Sequence, residues 1–398
     1  MQTIVLAAGE GTRMRPLTAA SPKPMLPVAD RPLVEHVVDA AVEAGTSELV
    51  IVVGYRADAV REHFGDDYRG VPVSYVEQTS QRGTADAVRS ARDHLDDAPF
   101  AVCNGDVLVD APTIARLFDA GPAVGAMHVE NPSAYGVLRT EPGEHARVTG
   151  IVEKPENPPS NLANAGIYVF PAAARDWLDV PESERGEYEL TDVLDRACRS
   201  TDVTAVTVDR WLDVGRPWEL LDANEWKLAD LDTRLAGDVS EDATLDGTVV
   251  VEEGATVREG VTIEGPVLVR SGAEVGPNAY VRGATLIGPD ARVGHAVEVK
   301  NSVLRAGATV GHLSYVGDSV LGRDVNFGAG TLVANLRHDD EPVRLTVKGE
   351  RVSTGRRKLG VVVGDGAKTG IDTSLNAGVV LGTEARTRPG ETVLEDRR

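Results

Sequence analysis

The sequence predicts two structural halves: an N-terminal α/β domain with a mostly parallel sheet, and a C-terminal parallel β-helix of hexapeptide repeats. Three observations support this. Short β-branched runs alternate with helical patterns up to about residue 235. From Val239 to Val299 an aliphatic residue stands at every sixth position, eleven times without a miss. A glycine-containing turn directly follows the first strand-like run, at Gly9 and Gly11.

The N-terminal half contains buried-strand patterns at residues 4–7, 49–53, 71–75 and 100–103. Helical patterns at residues 33–44 and 84–95 separate some of them. Alternation of this kind favours a sheet covered by helices on both faces, with ligands bound at the carboxyl ends of its strands.

In the C-terminal half, period six fits neither an α-helix nor an open sheet, but it is typical of a β-helix in which each short strand contributes one inward aliphatic side chain. After Val299 the phase slips by one residue and resumes, slips again before Leu321, and returns at Val363. We expect residues 335–359 to project as a loop and residues 218–235 to form an amphipathic connecting helix. The predicted domains are residues 1–228 and 238–398, joined by residues 229–237.

Composition limits the classes of function. The chain has 398 residues, 41 basic and 62 acidic, and a formal net charge of −21, which makes a nucleic-acid or anionic-membrane partner unexpected. Only seven of the basic residues are Lys, and an acidic, Lys-poor composition predicts a halophilic host with a salt-rich cytoplasm. Two cysteines allow no disulfide framework, and neither a leader nor a membrane span is expected.

The densest motif is the run from Leu6 to Arg13, Leu-Ala-Ala-Gly-Glu-Gly-Thr-Arg, followed by a Lys between two prolines at Lys23. Gly9 and Gly11 allow backbone N–H groups to approach a phosphate chain, and the two cations would clamp it. The spacing matches neither a P-loop nor a dinucleotide-binding fingerprint.

These residues resemble the signature of the sugar-1-phosphate nucleotidylyltransferase family, and further blocks follow in order over residues 1–228, such as Gly83-Thr84-Ala85 and Asn104-Gly105-Asp106. The resemblance implies a Rossmann-like nucleotidyltransferase fold and transfer of a nucleotidyl group from UTP or dTTP to N-acetylglucosamine-1-phosphate or glucose-1-phosphate, with release of pyrophosphate. Arg13 and Lys23 would be catalytic, and Asp106 and Asp213 would bind Mg²⁺, which takes hard oxygen ligands.

The resemblance also implies the remaining roles at this site. The nucleotide would contact Leu6, Ala8, Gly9, Gly11, Thr12, Gln78, Gly83 and Thr84. The sugar phosphate would contact Gly136, Glu153, Asn164 and Thr191. Lys154 has two readings, a contact with the sugar phosphate or an ion pair with Glu153. The preferred base and sugar stay open.

A second group of residues lies in the β-helix, where Gly311-His312-Leu313-Ser314-Tyr315 and Asn326-Phe327-Gly328-Ala329 resemble the acetyltransferase half of the bifunctional glucosamine-1-phosphate acetyltransferase/N-acetylglucosamine-1-phosphate uridylyltransferases. The resemblance implies a left-handed β-helix, a cytoplasmic homotrimer and acetyl-CoA as co-substrate. His312 would be the general base, a role suited to a group titrating near neutrality. The other residues of this site would be Arg282, Lys300, Tyr315, Asn326, Ala329 and Asn335.

Three alternatives stay open at this point. The protein would be a single-activity glucose-1-phosphate thymidylyl- or uridylyltransferase if the β-helix served only for oligomerisation. It would be a non-catalytic assembly subunit if neither site worked. The cationic residues 356–358 would either contact the CoA phosphates across a subunit interface or pack on the acidic surface of a neighbouring subunit.

Overall fold

The computed structural model describes residues 1–141 and 146–397. The chain forms two compact units that interleave along the sequence. The first comprises Met1–Glu10, Pro22–Leu26 and Pro32–Asp213. The second comprises Gly11–Ser21, Pro27–Arg31 and the chain from Val214 onward. The helices are α1 (Leu33–Glu43), α2 (Ala57–Phe64), α3 (Thr84–Ser90), α4 (Ala111–Ala120), α5 (Leu190–Ser200) and α6 (Pro217–Ala229).

The strands up to residue 213 have between two and nine residues. They are β1 (Gln2–Ala7), β2 (Pro27–Val28), β3 (Arg31–Pro32), β4 (Glu48–Val53), β5 (Asp67–Tyr68), β6 (Val71–Glu77), β7 (Phe100–Asn104), β8 (Val107–Leu108), β9 (Ala123–His128), β10 (Gly136–Thr140), β11 (Val148–Glu153), β12 (Leu162–Phe170), β13 (Thr204–Thr207) and β14 (Leu212–Asp213).

The main sheet of the first unit is mixed, which corrects the expectation of a mostly parallel one. Its order is β11-β10-β12-β7-β1-β4-β6-β5, with β9 beside β12 and β13 beside β9. Strand β1 runs parallel to β4 and β7, whereas β12 is antiparallel to β7, β9 and β10. The connections between consecutive strands from β9 to β12 are too short for the crossover that parallel neighbours need. Strands β10 and β11 form an antiparallel hairpin, and β12 pairs antiparallel with both β9 and β10.

Two predicted helices end early. Helix α3 stops at Ser90 and continues as a 3₁₀ turn, Arg92–His94. The Ser90 hydroxyl donates to the Asp86 carbonyl oxygen at 2.9 Å and so competes with the backbone bond of the helix. Helix α6 stops at Ala229 rather than 235, because residues 234 and 235 pair as a strand with Val250 and Val251.

Beyond α6 the chain forms short strands, which pair in parallel except for one antiparallel hairpin. They are β15 (Arg234–Leu235), β16 (Asp238–Val239), β17 (Thr244–Asp246), β18 (Val249–Val251), β19 (Thr256–Val257), β20 (Thr262–Glu264), β21 (Val267–Val269), β22 (Glu274–Val275), β23 (Tyr280–Arg282), β24 (Thr285–Ile287), β25 (Arg292–His295), β26 (Glu298–Lys300), β27 (Val303–Leu304), β28 (Thr309–His312), β29 (Tyr315–Gly317), β30 (Val320–Leu321), β31 (Asn326–Phe327), β32 (Leu332–Val333), β33 (Arg344–Val347), β34 (Glu350–Ser353), β35 (Val362–Val363), β36 (Ser374–Leu375), β37 (Val380–Leu381) and β38 (Thr392–Val393).

Three parallel sheets result, and each strand from β15 to β29 pairs with the third strand after it. Val251 lies opposite Val269, and Val269 opposite Ile287, so one turn takes eighteen residues. Leu304 follows Ile287 in the same column after seventeen residues, which accounts for the first phase slip. The repeated aliphatic side chains form one continuous core. This arrangement is consistent with a parallel β-helix, and the predicted loop contains the antiparallel hairpin β33–β34.

Candidate functional site

In the first unit, Lys23 and Asp106 are brought together as an ion pair. Lys23 lies in a 3₁₀ turn after Pro22, and its ammonium donates to Asp106 Oδ2 at 2.5 Å. Asp106 follows β7, and its side chain is one-third exposed, whereas that of Lys23 is almost buried. A Cβ at Gly105 would stand 2.6 Å from the Leu6 carbonyl oxygen, so only glycine brings this turn so close to β1.

Asp213 reaches the same place through the pairing of β14 with β8. It lies directly opposite Val107, the residue after Asp106. Asp213 is therefore paired with the residue that directly follows Asp106, which itself lies in the turn before β8. Among the described residues there is no group of three or more His, Cys, Asp or Glu side chains placed to hold a metal. Two carboxylates nevertheless fit Mg²⁺, which completes its shell with water and substrate phosphates.

We call residues 8–21, which contain the glycine motif, the signature turn. Its part from Gly11 to Ser21 belongs to the second unit. Gly11 has φ +65°, and its carbonyl oxygen accepts from Met14 N and from Thr18 Oγ1, both at 2.9 Å. These bonds close the turn Thr12–Met14 that carries Arg13. A Cβ on Gly215 would lie 3.8 Å from the Arg13 guanidinium, so Gly215 is next to this cation in the second unit. The preceding turn residue Ala8, in the first unit, accepts from Gln81 Nε2 at 3.0 Å through its carbonyl oxygen, and a Cβ on Gly9 would meet open space.

Two arginines of the parallel-strand region bind the far end of this turn, residues 17–21, within the second unit. Arg305 donates to the Leu17 carbonyl oxygen at 3.1 Å and to Ser21 Oγ at 2.9 Å. Arg323 donates to the Ala20 carbonyl oxygen at 3.3 Å, and both guanidinium groups pair with Asp365. Arg305 is 4% exposed, and burial lowers the pKa of its guanidinium, while Asp365 opposes that shift. No local motif indicated this contact.

Three of the residues expected to contact the nucleotide, Gln78, Gly83 and Thr84, lie close together. Gln78 donates through Nε2 to the Gly83 carbonyl oxygen at 3.2 Å and to Asp86 Oδ2 at 2.9 Å. Gly83 has φ +118°, and a Cβ there would stand 2.3 Å from the Tyr188 carbonyl oxygen. Thr84 begins α3 and accepts at Oγ1 from Leu190 N at 2.9 Å. The segments around residues 83 and 188 are thus packed directly against each other.

The expected sugar residues lie on β10, β11 and β12 and at the start of α5. Gly136 is opposite Glu153, whose carboxylate accepts from Arg185 at 2.9 Å. Lys154 also pairs with Glu153, at 3.6 Å, which is one of its two readings. Burial raises the pKa of the neighbouring carboxyl of Glu189, and the Glu153 charge adds to the rise. Asn164 and Thr191 complete the set, with Asn164 Nδ2 donating to the Tyr168 hydroxyl at 2.7 Å and Thr191 buried.

In the β-helix, Arg282 and Lys300 stand in register on β23 and β26. Each cation has a carboxylate partner that the sequence did not indicate. Arg282 donates to Glu298 Oε1 at 2.9 and 2.7 Å, and Lys300 donates to both oxygens of Asp318, at 2.9 and 2.8 Å. Their signal was only an acidic residue in or next to the β-helix strands.

Asn335 joins this group from the loop side. Its Nδ2 donates to the Tyr315 hydroxyl at 3.0 Å and to Asp318 Oδ2 at 2.6 Å. Burial, followed by the Asp318 charge, raises the pKa of Tyr315. The structure therefore unites Lys300, Tyr315 and Asn335 around one carboxylate.

His312 ends β28 with an exposed side chain, opposite His295 of the preceding coil. Its carbonyl oxygen accepts from Ser314 Oγ at 2.7 Å and from Gly330 N at 3.1 Å. Asn326 lies opposite Thr309 on the next coil, and Ala329 follows on the same coil. Within residues 1–141 and 146–397 the imidazole of His312 makes no hydrogen bond, so its surface is available.

The cationic loop packs on its own chain. Arg356 pairs with Asp222 and Glu225 of α6, and Arg357 pairs with Asp340 at 2.9 Å. Burial raises the pKa of Asp222, and Arg356 opposes that rise. In the part of the chain that the structure describes, no helix has the length and apolar character needed to cross a bilayer.

Comparison with protein families gives two matches. The nucleotidyl transferase family model matches residues 2–229, and a GMPPB C-terminal domain model matches residues 263–359. Among solved structures, a UDP-glucose pyrophosphorylase complexed with UDP-glucose is similar, with a TM-score of 0.52 and 27% identity over 56% of this chain and 96% of that one.

Curated relatives match nearly the whole length. The bifunctional protein GlmU of Methanocaldococcus jannaschii is 39% identical over 96% of this chain and 92% of its own. A bifunctional sugar-1-phosphate nucleotidylyltransferase/acetyltransferase of Sulfurisphaera tokodaii is 38% identical over 100% of this chain and 98% of its own. The UTP–glucose-1-phosphate uridylyltransferase AglF of Haloferax volcanii is 40% identical over 54% of this chain and 92% of its own. The chain therefore belongs to the nucleotidyl transferase family and, over its full length, to the bifunctional sugar-1-phosphate nucleotidylyltransferase/acetyltransferases of the GlmU type.

Proposed function

We propose that the N-terminal site transfers a nucleotidyl group from UTP or dTTP to N-acetylglucosamine-1-phosphate or glucose-1-phosphate. The observation that carries this proposal is the Lys23–Asp106 pair beside Asp213. A site for two polyanions needs fixed cations, and a divalent ion needs hard carboxylate oxygens. Both requirements are met by neighbouring residues of one small region.

The chemistry at this site is positioning and charge neutralisation. The sugar phosphate oxygen attacks the α-phosphorus, a new P–O bond forms, and the bond to pyrophosphate breaks. The attacking oxygen is already ionised, so no general base is needed. Arg13 and Lys23 hold the triphosphate and the charge that develops on it. Mg²⁺, held by Asp106 and Asp213, supplies further neutralisation of phosphate charge.

We propose that the nucleotide lies against Leu6, Ala8 and the glycine turn, with Gln78, Gly83 and Thr84 at its base. Glu153 and Asn164 offer acceptors and donors for sugar hydroxyls, and Gly136 leaves space beside them. Thr191 completes the sugar side.

The second proposed reaction is acetylation of glucosamine-1-phosphate from acetyl-CoA. The amine nitrogen forms a bond to the acetyl carbon, the C–S bond breaks, and the thiolate of CoA leaves. His312 takes the amine proton. Arg282 and Lys300 hold the sugar phosphate, Tyr315, Asn326 and Asn335 orient the amino sugar, and Ala329 lies along the CoA arm. The exposed imidazole of His312, which makes no hydrogen bond within residues 1–141 and 146–397, supports the proposal.

The finer organisation is proposed on the same basis. The domains are residues 1–228 and 238–398 with a linker of residues 229–237, the β-helix is left-handed, and three chains assemble around it in the cytoplasm. The acidic, Lys-poor composition supports a halophilic host. An activity optimum in dilute buffer would contradict the halophilic host, and a monomer in sedimentation equilibrium would contradict the trimer.

One preparation tests both activities. The purified protein is incubated with glucose-, glucosamine- or N-acetylglucosamine-1-phosphate and with UTP, dTTP or acetyl-CoA. Released pyrophosphate reports nucleotidyl transfer, and free CoA reports acetyl transfer. Asp106→Ala should abolish pyrophosphate release and keep CoA release, and His312→Ala should do the reverse. A parent protein that never releases CoA would reduce the function to a single-activity pyrophosphorylase. Matching full-length bifunctional relatives disfavour that alternative.

A further inference from the structure

Asp318 is a buried carboxylate at the centre of the proposed acetyltransferase site. It is 2% exposed, and it has φ +50°. Its backbone is fixed on both sides, because its N–H donates to the Lys300 carbonyl oxygen at 2.8 Å and its own carbonyl oxygen accepts from Gly360 N at 2.8 Å. The carboxylate is thus held in place by the β-helix itself.

The carboxylate serves three donor groups with two oxygens. Lys300 Nζ bonds to both oxygens, Asn301 Nδ2 bonds to Oδ1 at 3.0 Å, and Asn335 Nδ2 bonds to Oδ2 at 2.6 Å. A buried carboxylate with this many donors is acceptor-only, and a neutral amide in its place would leave one of the donors unpaired because an amide has a single acceptor oxygen.

This arrangement determines which way the Asn335 amide faces. The carboxylate accepts and cannot donate, so the nitrogen of Asn335 must face it. The second N–H of the same nitrogen is used by the Tyr315 hydroxyl at 3.0 Å. A Cβ on Gly317 would stand 2.4 Å from that hydroxyl and 2.7 Å from Asn335 Nδ2, so the pair lies directly over a glycine. Both donors being occupied, the Asn335 amide presents its oxygen away from Asp318, as an acceptor.

We propose that Asp318 is a positioning residue of the acetyltransferase reaction. It holds the Lys300 ammonium for the sugar phosphate and fixes the Asn335 amide with its oxygen available to an N–H of the amino sugar or of protonated His312. Asp318 itself touches neither substrate. This inference rests on the proposed acetyl transfer and adds to it the residue that sets the polarity of the site.

The test uses the whole protein and compares Asp318→Asn, Asn335→Asp and the double variant. Either single change disturbs the bond between residues 318 and 335, by adding a second donor or a second carboxylate. We expect each to lower kcat for CoA release at least about tenfold. The double variant restores a donor facing an acceptor and again presents an oxygen outward. It should therefore recover kcat to several-fold above either single variant and melt at a higher temperature than both.

Glu298→Gln is the matched control, because Glu298 pairs with Arg282 on the same face without contacting Asn335. We expect it to change KM for glucosamine-1-phosphate and leave kcat within about twofold. Pyrophosphate release should be unchanged in every variant and reports an intact fold. A double variant no better than the singles in kcat and melting temperature would overturn the inference. If the parent releases no CoA, the proposed function fails instead, and the melting temperatures alone decide whether residues 318 and 335 are coupled.

Discussion

Replacing Arg305 with Met should loosen the signature turn and destabilise the second unit. The guanidinium is 4% exposed and donates to the Leu17 carbonyl oxygen, to Ser21 Oγ and to Asp365 Oδ1, at 3.1, 2.9 and 3.2 Å. Removing one member of a buried charged pair costs about 3–5 kcal/mol, because its partners lose their bonds without regaining water.

The lower end of that range applies here. Asp365 keeps Arg323, which donates to its Oδ2 at 3.0 Å from the side chain and to its Oδ1 at 2.9 Å from the backbone, and Met fills much of the volume of the arginine stem. We therefore expect a loss of about 3 kcal/mol in the free energy of unfolding, or about 6–12 °C in Tm for a unit of this size. Since the turn carries Arg13, the KM for UTP should rise about tenfold, equivalent to about 1.4 kcal/mol.

Urea denaturation followed by circular dichroism gives the stability, and initial rates of pyrophosphate release give the KM. Arg323→Met is the control. Its guanidinium is 41% exposed and makes one bond to the turn, so its loss should cost less than about 1 kcal/mol. If Arg305→Met matched the parent in both stability and KM, the reasoning that this buried cation holds the turn would be refuted.

Three further outcomes are expected. Asp106→Asn should lower kcat for nucleotidyl transfer by at least about a thousandfold and leave CoA release unchanged, because it removes a proposed metal ligand and the partner of Lys23. Full activity would contradict the role of Asp106 as a metal ligand. Burial raises the pKa of the Cys103 thiol to about 12 from an ordinary value of 9.0, so its contribution to stability is complete below pH 9 and is lost as pH rises toward 12. Between pH 9 and 10, urea unfolding should show the parent losing about 1 kcal/mol more than Cys103→Ala, and equal slopes would exclude the effect. Arg356→Met should lower Tm by several degrees and Arg357→Met by almost nothing, because only the first is buried against two carboxylates; equal shifts in differential scanning calorimetry would argue against the α6 contact.

Local patterns predicted what local physics determines. The period of six was readable because each inward side chain stacks on its counterpart one coil away, as Val251 does on Val269, so every position is restricted to the same shape. The strands of the α/β half were also predictable, because β4 is buried along almost its whole length and its sequence is a continuous apolar run. The mixed direction of β12 was not, because strand direction depends on connections rather than on composition.

Long-range polar contacts were beyond the sequence. Arg305 reaches residues nearly three hundred positions earlier, and nothing in its neighbourhood differs from that of an exposed corner arginine. The carboxylate of Asp318 accepts from Lys300 and Asn301, which are adjacent in the sequence, and from the distant Asn335, and no local pattern predicts that combination. The end of α6 was misjudged because Leu235, which continued the apolar spacing of the helix, pairs with Val251 in strand β15 instead.

Tethering of the signature turn by Arg305 and Arg323 bears on how this enzyme can be shortened. A fragment ending after α6 would retain every residue of the nucleotidyl transferase match, yet the turn would lose both tethers. Such a fragment would need compensating changes near Leu17 and Ser21 before it could work alone. Separating the gene at this junction would thus cost the nucleotidyl transferase region contacts that a fused chain retains.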